Sequence, residues 1–215
     1  RAMEQRLAEI DRRCPVCRAR VEPNYLVCPV CTTRLKQSCG TCGQPLDALE
    51  IQLLGQIVNH YQAPDDPTCN FAALLERLND IAGLERIRFA SPHPRHVTPR
   101  LIEAMRTLPK VCRHLHLPVQ SGSTRILAAM RRRHTREAYL ELVTSLRAAM
   151  PDIALSTDTI VGFPGETEAD FNDTLSLTSA VRYHSMFSFK YSPRPNTLAE
   201  KRLPDDVPEV EKTRR

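Results

Sequence analysis

From about residue 50 onward, short apolar runs alternate with stretches in which apolar residues recur at helical spacing. A short, nearly continuous apolar run is typical of a buried strand, whereas a spacing of three or four residues indicates an amphipathic helix. The stretch 71–83 shows the helical pattern most clearly and closes on a glycine. The pattern predicts strands at 50–55, 84–90, 111–119, 152–163 and 186–192, and helices at 71–83, from 98 onward, at about 122–131, at 135–149 and at 167–181.

Capping signals mark the starts of several of these helices. Pro99 follows Thr98 and suits the first helical position, and Thr135 and Thr167 stand at two further helix starts. Asp170 occupies the position that completes a capping box with Thr167. The elements therefore alternate as β-α-β-α-β-α-α-β-α-β. This order predicts an α/β fold with a parallel sheet or barrel.

The first part of the chain follows a different pattern. Residues 1–47 are rich in turns and cysteines and contain no long apolar run. We therefore predict three regions: a small cysteine-rich domain at 1–47, an α/β domain at 48–200 and a polar, proline-broken tail at 201–215.

Composition narrows the class of protein. The 215 residues are 41% hydrophobic and 26% charged, which is ordinary for a soluble globular protein. No apolar run approaches the ~18 residues of a membrane span, and the start of the chain lacks the apolar core of a secretory signal. We expect a cytoplasmic protein that does not contact the membrane. The net charge of +5 permits an RNA partner without requiring one.

The cysteine spacing predicts a structural zinc site. Cys14, Cys17, Cys28 and Cys31 form a C-x2-C-x10-C-x2-C pattern. Two C-x-x-C turns supply four thiolates, which hold Zn²⁺ tetrahedrally and leave no open position. A third pair, Cys39 and Cys42, has no fourth pair after it. These two thiols either stay reduced or find further ligands in space, such as Cys69, Cys112 or a histidine.

Two groups of sequence segments each resemble a known protein family. "CPVC", "VEPNYLVCPVCTTRL" and "CGTCGQPLD" resemble the double zinc ribbons of actinobacterial proteins, with the second ribbon incomplete. "LLGQIVNHY", "GLERIRFASPHP", "HLHLPVQSGSTRILAAMRRRHTREAYLELV", "STDTIVGFPGETEADFNDTL" and "FSFKYSPRPNT" together resemble the radical S-adenosylmethionine (SAM) tRNA methylthiotransferases. This second resemblance covers about residues 50–215.

The second resemblance implies a partial parallel (β/α) barrel that lacks its first strand, with its chemistry at the carboxyl ends of the strands. It implies that a SAM pocket is lined by Gln120, Ser121, Asp158, Gly162, Gly165 and Glu166. Glycines there let the backbone approach a ligand, and the helix beginning at Thr167 favours an anionic group. Alternatively, the "GFPGE" stretch is only a tight turn.

The resemblance also implies an activity, the addition of a methylthio group to N(6)-dimethylallyladenosine in tRNA. That chemistry needs a [4Fe–4S] cluster on a C-x3-C-x2-C loop, and this spacing does not occur in the 215 residues. We therefore expect the polypeptide alone to be inactive, although the resemblance implies a transferase ancestor. The alternatives are a zinc-ribbon binding module fused to an inactive barrel, or a truncated or chimeric reading frame.

Three further expectations concern partners and surface groups. The predicted strand at 50–55 would be an exposed apolar edge, available to a protein partner or to self-association unless the ribbon covers it. His114 and His116 share one face of a strand and are expected to be structural. Arg131, Arg132 and Arg133 either touch tRNA phosphates or form a solvated helix end.

Overall fold

The computed structural model describes residues 13–14, 16–21, 30 and 50–215. The described strands are β1 (Glu50–Leu53), β2 (Gln62–Ala63), β3 (Asp66–Asn70), β4 (Arg86–Phe89), β5 (His114–His116), β6 (Ala154–Val161) and β7 (Ser185–Lys190). The described α-helices are α1 (Phe71–Asn79), α2 (Pro99–Thr107), α3 (Thr124–Ala129), α4 (Arg136–Ala149), α5 (Glu168–Val181), α6 (Leu198–Arg202) and α7 (Glu209–Arg214).

Five of the described strands form a parallel surface in the order β1, β4, β5, β6, β7. β1 pairs with β4, and β5 pairs with β6, which pairs with β7. A parallel bridge between Ile87 and Val111 connects the two groups. Because each connection between neighbouring strands runs through one or more helices, the architecture is a partial α/β barrel, as the sequence predicted. The short antiparallel pair β2 and β3 was not predicted.

Side-chain caps fix where the helices begin. Thr98, Thr135 and Thr167 each accept a hydrogen bond from a backbone N–H in the first turn, as predicted, and Thr167 and Asp170 form the complete capping box. Ser123 caps α3, which places the start of this helix slightly later than the apolar pattern indicated. Short polar residues therefore set the position of each helix along the chain.

The helices cover one face of the parallel surface with apolar side chains. Ile87 and Leu115 from the strands pack with Leu75, Met105 and Leu146 from the helices in one continuous core. Burial of such a side chain stabilises the fold by about 1.5–3 kcal/mol. This core holds the strands in register and so determines which residues meet at their carboxyl ends.

The end of the chain packs against the carboxyl end of β6. α7 buries Lys212, whose ammonium donates to both Asp205 carboxylate oxygens and to the Tyr191 carbonyl oxygen. Residues 201–215, expected as a polar tail, therefore carry a short helix that lies on the barrel. No helix among residues 50–215 and the described N-terminal positions is long and apolar enough to cross a membrane.

Candidate functional site

One face of the parallel surface carries mostly polar side chains. Side chains alternate along a strand, so registered pairs such as Gln52 with Arg88, and His116 with Ser156, lie side by side. This face consists of Glu50, Gln52, Arg86, Arg88, His114, His116, Ser156, Asp158, Ile160, Phe187 and Phe189. It lies opposite the helix-covered core and so forms the inner surface of the partial barrel.

A row of hydrogen-bonded side chains crosses the inner surface from β5 to β6. Ser156 Oγ lies 3.3 Å from His114 Nε2 and 3.0 Å from His116 Nδ1. His116 Nε2 lies 3.3 Å from Asp158 Oδ2. An imidazole held by a carboxylate can orient a ligand or hold a proton at a defined atom. Asp158, predicted as a cofactor residue, thus belongs to a row that includes the two histidines expected to be structural.

Residues in the segments that follow two strands have unusual backbone conformations. Ser91, after β4, has φ +61°, and Gln120, after β5, has φ +73°. The left-handed region costs a non-glycine residue roughly 1–2 kcal/mol. The backbone N–H of Gln120 donates to the Asp158 carbonyl at 2.9 Å, and its carbonyl accepts from the Ile160 N–H at 2.8 Å. Such strain is often retained at functional sites.

Ser121, the second predicted cofactor residue, is fully buried between two elements. Its hydroxyl lies 3.4 Å from Thr174 Oγ1 of α5 and accepts from the Ser123 N–H at 3.2 Å. Gly122 lies so close to α5 that an added Cβ would stand 2.4 Å from the Asp173 carbonyl oxygen. This turn therefore positions the carboxyl end of β5 against α5 and does not present Ser121 to an open cavity.

The turn after β6 contains the remaining predicted cofactor residues. Gly162 and Gly165 have positive φ angles of +71° and +76°, and the Gly162 N–H donates to Glu166 Oε2 at 2.6 Å. Glu166 is buried and pairs with Arg215, whose Nη1 lies 2.6 Å from the same oxygen. Burial raises the pKa of Glu166, and its Oε1 has no hydrogen-bond partner among the described residues. The turn thus holds one buried carboxylate oxygen available to a donor.

Two cavities lie next to these turns and share the stretch from Met130 to Arg132. The first, of about 360 Å³, lies between the end of α3, the end of β6 and α6, and Ile160 and Phe163 contribute to its mostly apolar wall. The second, of about 310 Å³, lies between the loop after β4 and the loop after α3. Sequence reasoning singled out Arg131 and Arg132 but missed Ile160 and Phe163, because apolar residues at the ends of elements look like ordinary core.

The zinc-site prediction falls only partly on described residues. The Cys14 N–H donates to the Ala19 carbonyl at 2.8 Å, and the Cys14 carbonyl accepts from the Arg18 N–H at 2.9 Å. Cys14 is buried, whereas Cys17 is exposed. Cys28, Cys31, Cys39 and Cys42 lie outside the described residues. Within the described ranges, no group of three His, Cys, Asp or Glu residues is arranged to hold a metal ion.

Comparison with known proteins gives a family match and close relatives. The family model of the Radical SAM superfamily matches residues 12–178. The tRNA-2-methylthio-N(6)-dimethylallyladenosine synthase of Thermoanaerobacter sp. (strain X514) is 52% identical over 166 residues, which are 77% of this chain and 35% of that protein. The enzyme of the same name from Moorella thermoacetica is 53% identical over 167 residues, 78% of this chain and 37% of that protein. The chain thus spans about a third of the length of these curated relatives.

A solved structure supports the fold. Coproporphyrinogen III oxidase (HemN) from Escherichia coli, described as a radical SAM enzyme, superposes with a TM-score of 0.53 at 20% sequence identity. The superposition covers 66% of this chain and 34% of that one. At this identity the likeness concerns the fold alone. It agrees with the partial α/β barrel built from β1, β4, β5, β6 and β7.

Proposed function

The chain belongs to the radical SAM superfamily, and from this premise we propose that it is the barrel segment of a tRNA methylthiotransferase acting on N(6)-dimethylallyladenosine. The observation that carries the proposal is the identity of 52–53% to enzymes named for that product, over more than three quarters of the chain. The polar inner surface of the barrel is consistent with a substrate that carries hydrogen-bonding groups.

The apolar cavity beside β6 supports a SAM site. A volume of about 360 Å³ suits a nucleoside, and Ile160, Phe163 and Met130 offer apolar contacts for its base. Gly165 has open space around its Cα, so a ligand could approach the backbone there. Asp158 and Gln120 do not border this cavity, and in this proposal they orient the part of the ligand that extends beyond it onto the inner surface. When bound at a [4Fe–4S] cluster, SAM supplies the radical chemistry of the superfamily.

The cysteines of the chain do not fit the superfamily's cluster motif. C-x3-C-x2-C is absent from all 215 residues. Cys69 lies in β3 and Cys112 just before β5, and no metal-binding group of three forms among the described residues. We therefore propose that this polypeptide does not cleave SAM without cluster ligands from elsewhere. The alternative, a binding module with an N-terminal zinc ribbon at Cys14, Cys17, Cys28 and Cys31, is favoured by the same observation.

Metal analysis and SAM cleavage test this part of the proposal. The full chain is purified without oxygen, incubated with iron and sulfide, and assayed for bound metals and for 5′-deoxyadenosine formed from SAM. We expect zinc without iron and no 5′-deoxyadenosine. The superfamily match begins at residue 12 and so includes the cysteine-rich part of the chain. Iron content is therefore the more informative of the two metal measurements, because it reports directly whether these cysteines hold a cluster. A [4Fe–4S] absorption spectrum together with SAM cleavage would show that the chain is active.

SAM binding is measured separately by isothermal titration calorimetry. Ile160→Lys replaces an apolar wall residue with a longer, charged side chain that occupies the cavity, so it should abolish SAM binding. Val210→Lys is the matched control, because Val210 is 83% exposed on α7 and does not border the cavity. Equal affinity of the two variants would exclude this cavity as the SAM site.

The proposed substrate is tested with anticodon stem–loop RNAs. An RNA that carries N(6)-dimethylallyladenosine should bind more tightly than the same RNA with unmodified adenosine. Equal affinity for the two RNAs would argue against the proposed substrate. We further propose a cytoplasmic location, and self-association or a protein partner at the β1 edge.

A further inference from the structure

We propose that the second cavity is a binding site for a backbone phosphate of single-stranded RNA, held by Arg95, Arg131 and Arg132. The inference rests on the proposed function for the identity of the RNA. The site is a separate cavity from the apolar one assigned to SAM, and the two cavities share the wall from Met130 to Arg132.

The walls of this cavity concentrate positive charge. Arg95 and His96 approach from the loop after β4, and Arg131, Arg132 and Arg133 approach from the loop after α3. Among the described residues that border the cavity there is no aspartate or glutamate. None of the four arginines forms an ion pair with the described part of the chain. A concave, uncompensated cluster of guanidinium groups is suited to an anion.

Arg132 shows that this cluster is more than a solvated helix end. Its side chain is half-buried, and burial lowers the pKa of its guanidinium. A partly desolvated cation without a carboxylate is unfavourable until an anion joins it. Arginine also matches the oxygens of a phosphate with two parallel hydrogen bonds. The half-buried position of Arg132 thus favours a phosphate ligand over exposure to water.

The backbone at Arg131 carries a second sign of function. Arg131 follows α3 with φ +57°, where glycine is the usual residue because it has no Cβ. The chain therefore has an arginine at a position where glycine would be more stable. Strained residues of this kind are common at binding sites. Arg131 borders both cavities.

The opposite wall is held rigidly in place. The Asn59 amide donates to the His93 carbonyl at 3.0 Å and accepts from the His93 N–H at 2.9 Å, which ties the loop after β1 to the loop after β4. The His60 and His96 rings lie 4.2 Å apart at an angle of 37°. Of these two rings, His96 borders the cavity beside the arginines and offers a planar surface for an unstacked base. This arrangement favours single-stranded RNA over an isolated anion.

RNA binding by the full chain tests the site. The affinity of a labelled anticodon stem–loop is measured by fluorescence anisotropy at salt concentrations from about 0.05 to 0.2 M. Arg95→Gln and Arg132→Gln should each weaken binding roughly tenfold at low salt and reduce the salt slope by about 1. Arg106→Gln is the matched control, because Arg106 is an exposed arginine on α2 paired with Glu103 at 2.6 Å. It should leave the affinity unchanged.

Arg131→Gly separates binding from stability. Removing the Cβ relieves the strain at φ +57°, so Tm should stay the same or rise, while the RNA affinity falls. A variant with lower Tm and unchanged affinity would show that Arg131 is structural and would overturn the proposal. Unchanged affinity in both glutamine variants would also overturn it, without affecting the proposed function.

The remaining outcomes distinguish the two proposals and the source of the phosphate. Arginine-dependent binding that does not discriminate dimethylallyl-modified RNA supports the phosphate site and contradicts the proposed substrate. A wild-type chain that binds no RNA contradicts both. AMP is tested as a competitor of the stem–loop. If AMP competes at concentrations similar to those at which the stem–loop binds, and if this competition also depends on Arg132, the site belongs to free nucleotides and the RNA assignment is overturned.

Discussion

Asp170 provides the sharpest test of how the two candidate turns are held together. This buried carboxylate lies near the start of α5 and accepts from Ser123 Oγ at 2.6 Å, from the Thr167 N–H at 2.9 Å and from Thr167 Oγ1 at 2.5 Å. It also pairs with Arg125. One side chain therefore links the caps of α3 and α5, which follow the turns after β5 and β6.

Asp170→Asn keeps the shape of the side chain and removes its charge. The asparagine amide nitrogen is a hydrogen-bond donor, and it would replace a carboxylate oxygen that is an acceptor. The groups that now donate to this oxygen would then face another donor. Hydrogen bonds to a charged group contribute roughly 1.5–3 kcal/mol each, and an exposed arginine adds at most about 1 kcal/mol. Because one or two of these bonds are lost, we expect unfolding to become easier by about 2–4 kcal/mol.

Urea denaturation followed by circular dichroism measures this change. With a slope of about 2 kcal/mol per molar urea, the midpoint should fall by about 1–2 M. Asp173→Asn is the matched control, since Asp173 is an exposed aspartate on the same helix. A midpoint that is equally shifted, or unshifted, in both variants would refute the linking role of Asp170.

The pH dependence adds an independent check on Asp170. Burial alone would raise the pKa of this carboxyl, but hydrogen bonds from Arg125, Ser123 and Thr167 hold it well below its usual value of 3.8. Since the folded-state pKa is lowered, the stabilisation is present above about pH 4 and is lost as the pH falls further. The stability difference between wild type and Asp170→Asn should therefore shrink below pH 4.

Two further predictions follow from close contacts and burial. Gly122→Ala should destabilise the fold by about 2–3 kcal/mol, because its Cβ would meet backbone atoms of Asp173 and Thr174 at 2.4 and 2.5 Å. Gly55→Ala, with its nearest atom at 3.3 Å, should cost less than about 1 kcal/mol, and urea denaturation of both variants measures the difference. Burial and nearby positive charges lower the pKa of His93 from 6.5 to about 4. The folded state therefore binds fewer protons than the unfolded state between these values, and stability is lost as the pH falls from 6.5 to about 4. After allowance for solvent screening, the loss is about 1–2 kcal/mol, and a flat difference between wild type and His93→Asn from pH 7 to 4 would contradict it.

Local sequence patterns predicted most of the architecture. The alternation of apolar runs and helical spacing located the five parallel strands, and Thr98, Thr135 and Thr167 were recognised as caps. These features depend on neighbours within a few residues. β2 and β3 were missed, because their pairing brings together short segments without an apolar pattern. α7 was missed because its burial depends on the distant turn after β6.

The candidate site was predictable to a smaller extent. The family resemblance pointed to the turns after β5 and β6, where Gln120 and Gly162 have positive φ angles. The roles of individual side chains depend on packing that has no local signal. Ser121 faces α5, and Glu166 meets Arg215, which lies 49 residues later in the chain. Residue type and position in a motif did not reveal these partners.

The order of strands and helices was sufficient for the fold class, and cysteine spacing was sufficient for the absence of a C-x3-C-x2-C loop. The family resemblance came from particular sequence segments. Each of these is a property of the chain read in order. Only the tertiary structure brought Arg95 beside Arg131 and Arg132 around one cavity. Parallel strands place their carboxyl ends at one edge, so loops far apart in sequence meet there. Whether an arginine run is a solvated helix end or a binding wall is decided by what folds against it.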